Sequence, residues 1–393
     1  MKTARARSVL RDRSGATRVT FVELFFDLVF VFAITQLSHL LLQNLSIWGA
    51  AQTLLLLLGV WWVWIYTSWA TNWADPDTVP VRMMMLTLMI AGLILSVSLP
   101  EAFESRGLSF ACAYVFMQVA RSLFMMWALK PHSTANYRNF QRITIWFCLA
   151  AVLWLAGAFL DGGQRFIAWA AALAIEFVSP ALSFWVPGLG RSATADWNIE
   201  GGHMAERSGL FIIICLGESI LVTGATFAQL PYASATIAAF TVAFIGSVAM
   251  WWLYFDIGAG RATHLIEKSS DPGRIARTAY TYVPIVIVAG IVVSAVADEL
   301  ILAHPLGHTE AAAAMAIIGG PALFILGNLL FKYVTSGWPP LSHMAGLGLF
   351  GVLALGALHI SPLVLATCAA AILVIVAVWE RISLRHTRAT AHS

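Results

Sequence analysis

Apolar runs of about twenty residues, broken by short polar turns, follow one another along nearly the whole chain. Such runs constrain the fold more than any single motif. A bilayer offers no hydrogen-bond partners to the backbone, so each run must satisfy its own amides as a helix. Only 11% of the 393 residues are charged, against 60% hydrophobic, with a mean hydropathy of +0.80. An ordinary soluble domain carries about a quarter charged residues, so the composition excludes one. The runs predict spans at 20–42, 48–70, 82–100, 107–129, 142–160, 165–187, 208–229, 233–258, 277–302, 310–333, 341–360 and 361–380. The break between the last two is short, so eleven spans or a re-entrant hairpin stays open. No large extramembrane domain fits.

The Lys and Arg residues fall on one side. With the N-terminus placed inside, all 23 except Arg106, Arg165 and Arg121 lie at cytoplasmic ends, and both termini are expected in the cytoplasm. The basic segment 1–19 reads as a retained cytoplasmic arm suited to anionic lipid rather than nucleic acid, because a span follows it directly and no A-x-A-like cleavage site does. Cys112, Cys148, Cys215 and Cys368 sit inside apolar runs without C-x-x-C spacing and read as packing residues.

The two halves answer one another. WWVWIYTSW at 61–69 matches WWLYFDIGA at 251–259, and AGLILSVSLPEAF at 91–103 matches AGIVVSAVADELI at 289–301 without a gap. The expectation is an all-α membrane protein of about twelve transmembrane helices in two parallel six-helix repeats, 20–187 and 208–380. A cytoplasmic loop at 188–207 joins them, and a basic tail at 381–393 follows.

Four segments carry a resemblance: VELFFDLVFVFAITQLS (22–38), ADPDTVPVRMMML (74–86), SLPEAF (98–103) and HMAERSGLFIIICLGESI (203–220). Through them the chain resembles the bacterial low temperature requirement A (LtrA) family. The resemblance implies a polytopic plasma-membrane protein and brings no settled activity. At Ser208 the family pattern has His, so no proton-handling role is implied there. In layout alone, two six-span repeats with an acid on the first helix of each are similar to tandem-repeat endolysosomal potassium channels.

Acids at membrane depth are expensive and so nominate themselves. Glu23 and Asp27 stand one helical turn apart on one face; Asp27 lies roughly 10 Å in from the cytoplasmic edge, and Arg121 at about 13 Å is a plausible partner. Glu23, near the interface, reads as a structural charge pair, and Asp27 equally as site or packing. Arg207 and Glu218 share a face some 16 Å apart and cannot touch, so Arg207 is expected to meet lipid phosphate or an acid on another helix. The repeat alignment sets Glu218 near the place of Asp27, and Gly217 and Gly224 would let a neighbouring helix come close. Pro180 is expected to kink the sixth span and free the carbonyl of Glu176, placing an acid beside unpaired backbone. Gly319, Gly320 and Pro321 mark a similar break without an acid. His203 and Glu206 are spaced to offer two ligands to a metal, too few for a site, and no cofactor is indicated. Glu101, Asp298 and Glu299 read as hydrated charges near the outer surface.

Three functions fit these residues. A transporter or channel for a cation or proton-coupled solute would use Asp27, Glu218, Glu176 and Arg121, with Glu23, His203, Glu206 and Arg207 in support. A membrane enzyme acting on a lipid or isoprenoid would need a cytoplasmic cluster, for which only His203, Glu206, Asp75 and Asp77 are available. A scaffold or sensor of bilayer state would use its acids as interhelical bonds. Under each reading the expected partners are membrane lipids and a second copy in a homodimer. The first explains acids at three depths and is the expectation. Dry, paired acids would speak for the third and wet ones for the first.

Overall fold

The computed structural model describes residues 8–12, 18–192, 200–256 and 277–390, with 384–390 as backbone only. Among these are twelve α-helices and no strand. They are α1 (Phe21–Gln43), α2 (Ile47–Trp73), α3 (Val79–Ser98), α4 (Gly107–Leu129), α5 (Thr134–Ala158), α6 (Gly162–Val178) and α7 (Gly201–Ala228). After them come α8 (Ser234–Phe255), α9 (Val283–Ala303), α10 (Ala311–Ser336), α11 (Leu341–Gly356) and α12 (Pro362–Thr390). Eleven are long and apolar enough to cross a membrane. The protein is a multi-pass membrane protein, and large apolar side chains such as Ile90, Val152, Leu221 and Leu355 are exposed, as lipid-facing positions are.

The short break near the C-terminus is real: α11 closes in a 3-10 turn, Ala357–His359, and Pro362 opens α12. The shortfall from twelve falls elsewhere, at α6, which stops at Val178 after 17 residues. Pro180 does not kink a span there but lies beyond its end. The Glu176 carbonyl is not left bare, because the Ser179 hydroxyl donates to it at 2.8 Å. Ser183 and Phe184 follow with positive φ, turning the chain away.

The described residues form two compact units. One holds the chain up to Leu40 and from Ile47 to Arg207; the other holds Leu41–Ser46 and everything from Ser208. In the first, α3 packs on α4, α4 on α5 and α5 on α6, while α2 touches α4 and α6. Its core is aromatic: Trp61, Trp62, Trp64, Trp154 and Trp169 are essentially unexposed, and the Trp154 ring lies 4.4 Å from that of Tyr114.

In the second unit α9 and α10 meet backbone to backbone. A Cβ on Gly290 would stand 2.6 Å from the Phe324 nitrogen, one on Gly320 2.6 Å from the Ser294 nitrogen, and one on Gly327 2.8 Å from the Ile287 nitrogen. Pro321 sits inside an unbroken α10, held in this contact. Gly217 and Gly224 play no such part, since a Cβ on either meets nothing within 4 Å among the described residues.

Candidate functional site

The first turn of α1 begins the site. Thr20 and Glu23 form one half of a capping box: the Thr20 amide donates to Glu23 Oε2 at 2.9 Å, and its hydroxyl donates to the same oxygen at 3.0 Å, which fixes the carboxylate at the helix start. One turn on, Asp27 points the same way, and neither acid has any exposed surface. Two buried carboxylates this close need cations. Arg207, near the start of α7, supplies one guanidinium to both, with Nη1 3.0 Å from Glu23 Oε1 and Nη2 2.6 Å from Asp27 Oδ1. The indole of Trp64 donates to the same Asp27 oxygen at 2.8 Å, and its ring lies 5.8 Å from the guanidinium.

Arg11 supplies the second cation. Its Nη2 lies 2.8 Å from Glu23 Oε2 while Nε donates to the Thr71 carbonyl at 2.7 Å, and the side chain is only 5% exposed. The arm itself is pinned to the end of α2 by the Arg11 amide, which donates to the Trp73 carbonyl. The expectation that the arm's basic residues face lipid therefore fails at Arg11.

His203, one turn before Arg207, completes the network, and its tautomer follows from its neighbours. The Asn72 amide is oriented by the Glu200 backbone, accepting from its N–H at 3.1 Å and donating to its carbonyl at 3.0 Å. Asn72 therefore presents N–H to His203 Nδ1, 3.2 Å away. Nδ1 accepts, so the proton of the neutral ring is on Nε2, which donates to Glu23 Oε1 at 3.0 Å; Arg11 Nη2, 3.2 Å from the same nitrogen, then donates to Glu23 and not to the ring. With His203 neutral, Glu23 and Asp27 balance Arg11 and Arg207, and the network carries no net charge. It is not fully satisfied, however: Asp27 Oδ2 and Arg207 Nε are buried without a hydrogen-bond partner among the described residues.

Asp27 thus pairs with Arg207 and not with Arg121. Arg121 serves a second cluster on α4, donating to the Val63 carbonyl at 3.2 Å, to Thr67 at 3.1 Å and to the Gln118 side chain. Gln118 in turn donates to Glu176 at 3.2 Å, and Tyr114 and Trp154 add donors at 2.6 and 3.0 Å. Glu176 is buried, held by three donors and linked to Arg121 only through Gln118. Glu206 is exposed and accepts from the Val19 amide at 3.2 Å, apart from His203. Glu218 is half-buried and belongs to the second unit. Among the described residues, no three His, Cys, Asp or Glu side chains gather as metal ligands would.

Several members of these clusters were not legible in the chain. Trp64, Tyr114, Gln118 and Trp154 sit inside apolar runs, and Asn72 just past the end of one; they announce nothing, apart from the rule that a buried indole or phenol seeks a partner. Thr20-x-x-Glu23 is a readable signal, since it fixes where α1 begins. Lys332, in the second unit, is hydrogen-bonded to both Glu380 oxygens at 2.6 and 2.7 Å, a half-buried pair 48 residues apart that no local pattern shows.

Residues 18–378 match the family of the bacterial low temperature requirement A protein (LtrA). The chain belongs to the LtrA family. It is also 39% identical to an uncharacterized protein, RA0937, of Rhizobium meliloti (strain 1021), over 97% of this chain and 93% of that one. No solved structure matches. The LtrA match spans both units, so the network and the second-unit helices belong to one family framework.

Proposed function

We propose that this LtrA protein moves a cation, or a solute coupled to protons, across the plasma membrane, and that the Glu23–Asp27–His203–Arg207 network is its charge-handling element. The observation that supports this reading is the bare oxygen of Asp27. A network that served only to hold helices gains nothing from leaving a buried carboxylate oxygen and a guanidinium N–H unpaired, each of which costs about 1–3 kcal/mol. Partial satisfaction at membrane depth is what a site needs if it is to accept a proton or exchange its partner. Both termini are proposed to face the cytoplasm, on the same side as Arg11 and the start of α7.

A second reading rests on the complete burial of both acids. A neutral, dry network joining α1, α2 and the start of α7 acts as a clamp, and the protein is then a scaffold rather than a carrier. Asp27→Asn separates the two. The amide keeps an oxygen in the place of Oδ1 for Trp64 and Arg207 and removes only the charge and its titration. In proteoliposomes, wild-type protein is expected to carry a flux driven by a pH or alkali-cation gradient, with Asp27→Asn reducing it at least tenfold while the purified variant stays folded. Flux at background for both proteins leaves the clamp.

A further inference from the structure

The second unit contains a small cavity that the first-unit network does not use. It has a volume of about 40 Å³ and lies among α8, α9, α10 and α12, with Asp298, Ser294, Ser247, Ile317 and Pro321 in its wall. Sequence alone reads Asp298 as a hydrated surface charge. In the structure it is half-buried on α9 and turned to this cavity, one helical turn beyond Ser294.

Each polar group in the wall is short of a partner. Among the described residues Asp298 meets no cation, and its contact is the Thr223 hydroxyl on α7. That hydroxyl has one proton, which it also directs to the Ser219 carbonyl at 2.7 Å. Helical Ser and Thr at depth usually return their proton to the carbonyl one turn back, as Ser96 and Ser122 do here at 2.7 and 2.9 Å. Ser247 and Ser294, 4% and 5% exposed, do not: Ser294 reaches only the Met250 sulfur at 4.0 Å, and Ser247 makes no hydrogen bond among the described residues. Pro321 has no N–H, so the carbonyl of Ile317, four residues back, lacks its helical donor. The residues that line the cavity thus bring a carboxylate, two hydroxyls that donate to no oxygen or nitrogen among the described residues, and a helix carbonyl without its i+4 donor. All four are hard oxygen donors.

We propose that this cavity binds a single alkali-metal cation. Oxygen-only donors select hard cations over soft ones. One carboxylate neutralises one charge, so a monovalent ion leaves the site neutral where a divalent ion leaves it positive in a poorly hydrated environment. The Ile317 carbonyl, which Pro321 leaves without its helical donor inside a continuous helix, is a further oxygen available for coordination. The volume suffices for a largely dehydrated ion with a water, given that one water needs roughly 10–15 Å³. The close α9–α10 contact at Gly320 and Ser294 holds the two donor-bearing backbones at fixed spacing.

Binding is tested without reference to transport. The thermal unfolding midpoint of the purified full-length protein is followed as choline chloride is replaced by sodium, potassium or lithium chloride at constant ionic strength. A saturable rise is expected with at least one of the three. Asp298→Asn is expected to abolish it, and Ser247→Ala to raise the half-saturating concentration about tenfold, a loss of about 1.4 kcal/mol. Glu101→Gln, an exposed acid on another element, is expected to respond as wild type. A wild-type midpoint that is the same in choline and in every alkali chloride shows a cavity holding only water, and overturns the proposal. An Asp298→Asn protein that responds like wild type does so too. If that variant does not fold, unchanged half-saturation in both Ser247→Ala and Ser294→Ala is decisive against it. Because no flux is measured, a failure of transport leaves this result standing, and the reverse holds as well.

Discussion

Arg207 holds two acids with one guanidinium, and this sharing decides what each substitution costs. Removing it strands Glu23 and Asp27 together without exposure to water, and breaking a buried pair in this way costs about 3–5 kcal/mol. Arg207→Gln is therefore expected to destabilise the protein strongly in denaturant unfolding, and far more than Asp27→Asn. The two changes should not add. In a double-mutant cycle the pair Asp27→Asn, Arg207→Gln is expected to lie closer to wild type than the sum of the singles, by on the order of 1–3 kcal/mol. A cycle that closes additively would show that the 2.6 Å contact contributes nothing. The sequence announces both acids and the arginine as costly, but 180 residues lie between Asp27 and Arg207, and no spacing rule spans that distance. Arg121, at a similar depth, is the partner that depth along the helices suggests for Asp27. It fails because Val63, Thr67 and Gln118 already take up its donors.

At the scale of elements, hydropathy places the helices well and their ends poorly. The break at His359–Pro362 is visible because Pro362 can only start a helix there. The end of α6 is less visible, since residues up to 187 remain apolar while the backbone has already turned at Ser183 and Phe184. Glycines divide in the same way: Gly217 and Gly224 looked like contact points, yet Gly290, Gly320 and Gly327 form the contact. Composition cannot separate these groups, because a glycine matters only where another backbone stands against it. Gly320→Val is expected to force α9 and α10 apart and to lower both folded yield and the unfolding midpoint. Gly351→Ala, where an added Cβ meets nothing within 4 Å, is expected to leave both unchanged. Equal behaviour of the two variants would mean that the close approach is not what holds this pair together.

Across the whole molecule, charge placement predicts that both termini lie on the cytoplasmic side. That parity requires α6 to count as a crossing despite its length of 17 residues, roughly 25 Å against about 30 Å of hydrocarbon. The segment after α6 returns to α5, where Arg142 donates to the Leu189 carbonyl. Reporter fusions at the two ends, one active only inside and one only outside, are expected to agree on a cytoplasmic location for both. Opposite locations would reduce α6 to a re-entrant helix. By itself, the sequence determined the solvent, the class and the approximate position of every helix, because a bilayer permits one backbone solution and apolar runs state it directly. Only the tertiary structure decided which charges meet, which hydroxyls are left free and which acid faces a cavity. Those depend on helices packed through residues far apart in the chain, and pairing at a distance leaves no local trace. Asp298 shows this most clearly, since the same carboxylate that reads as an ordinary surface charge in sequence becomes a candidate ligand once four helices close around it.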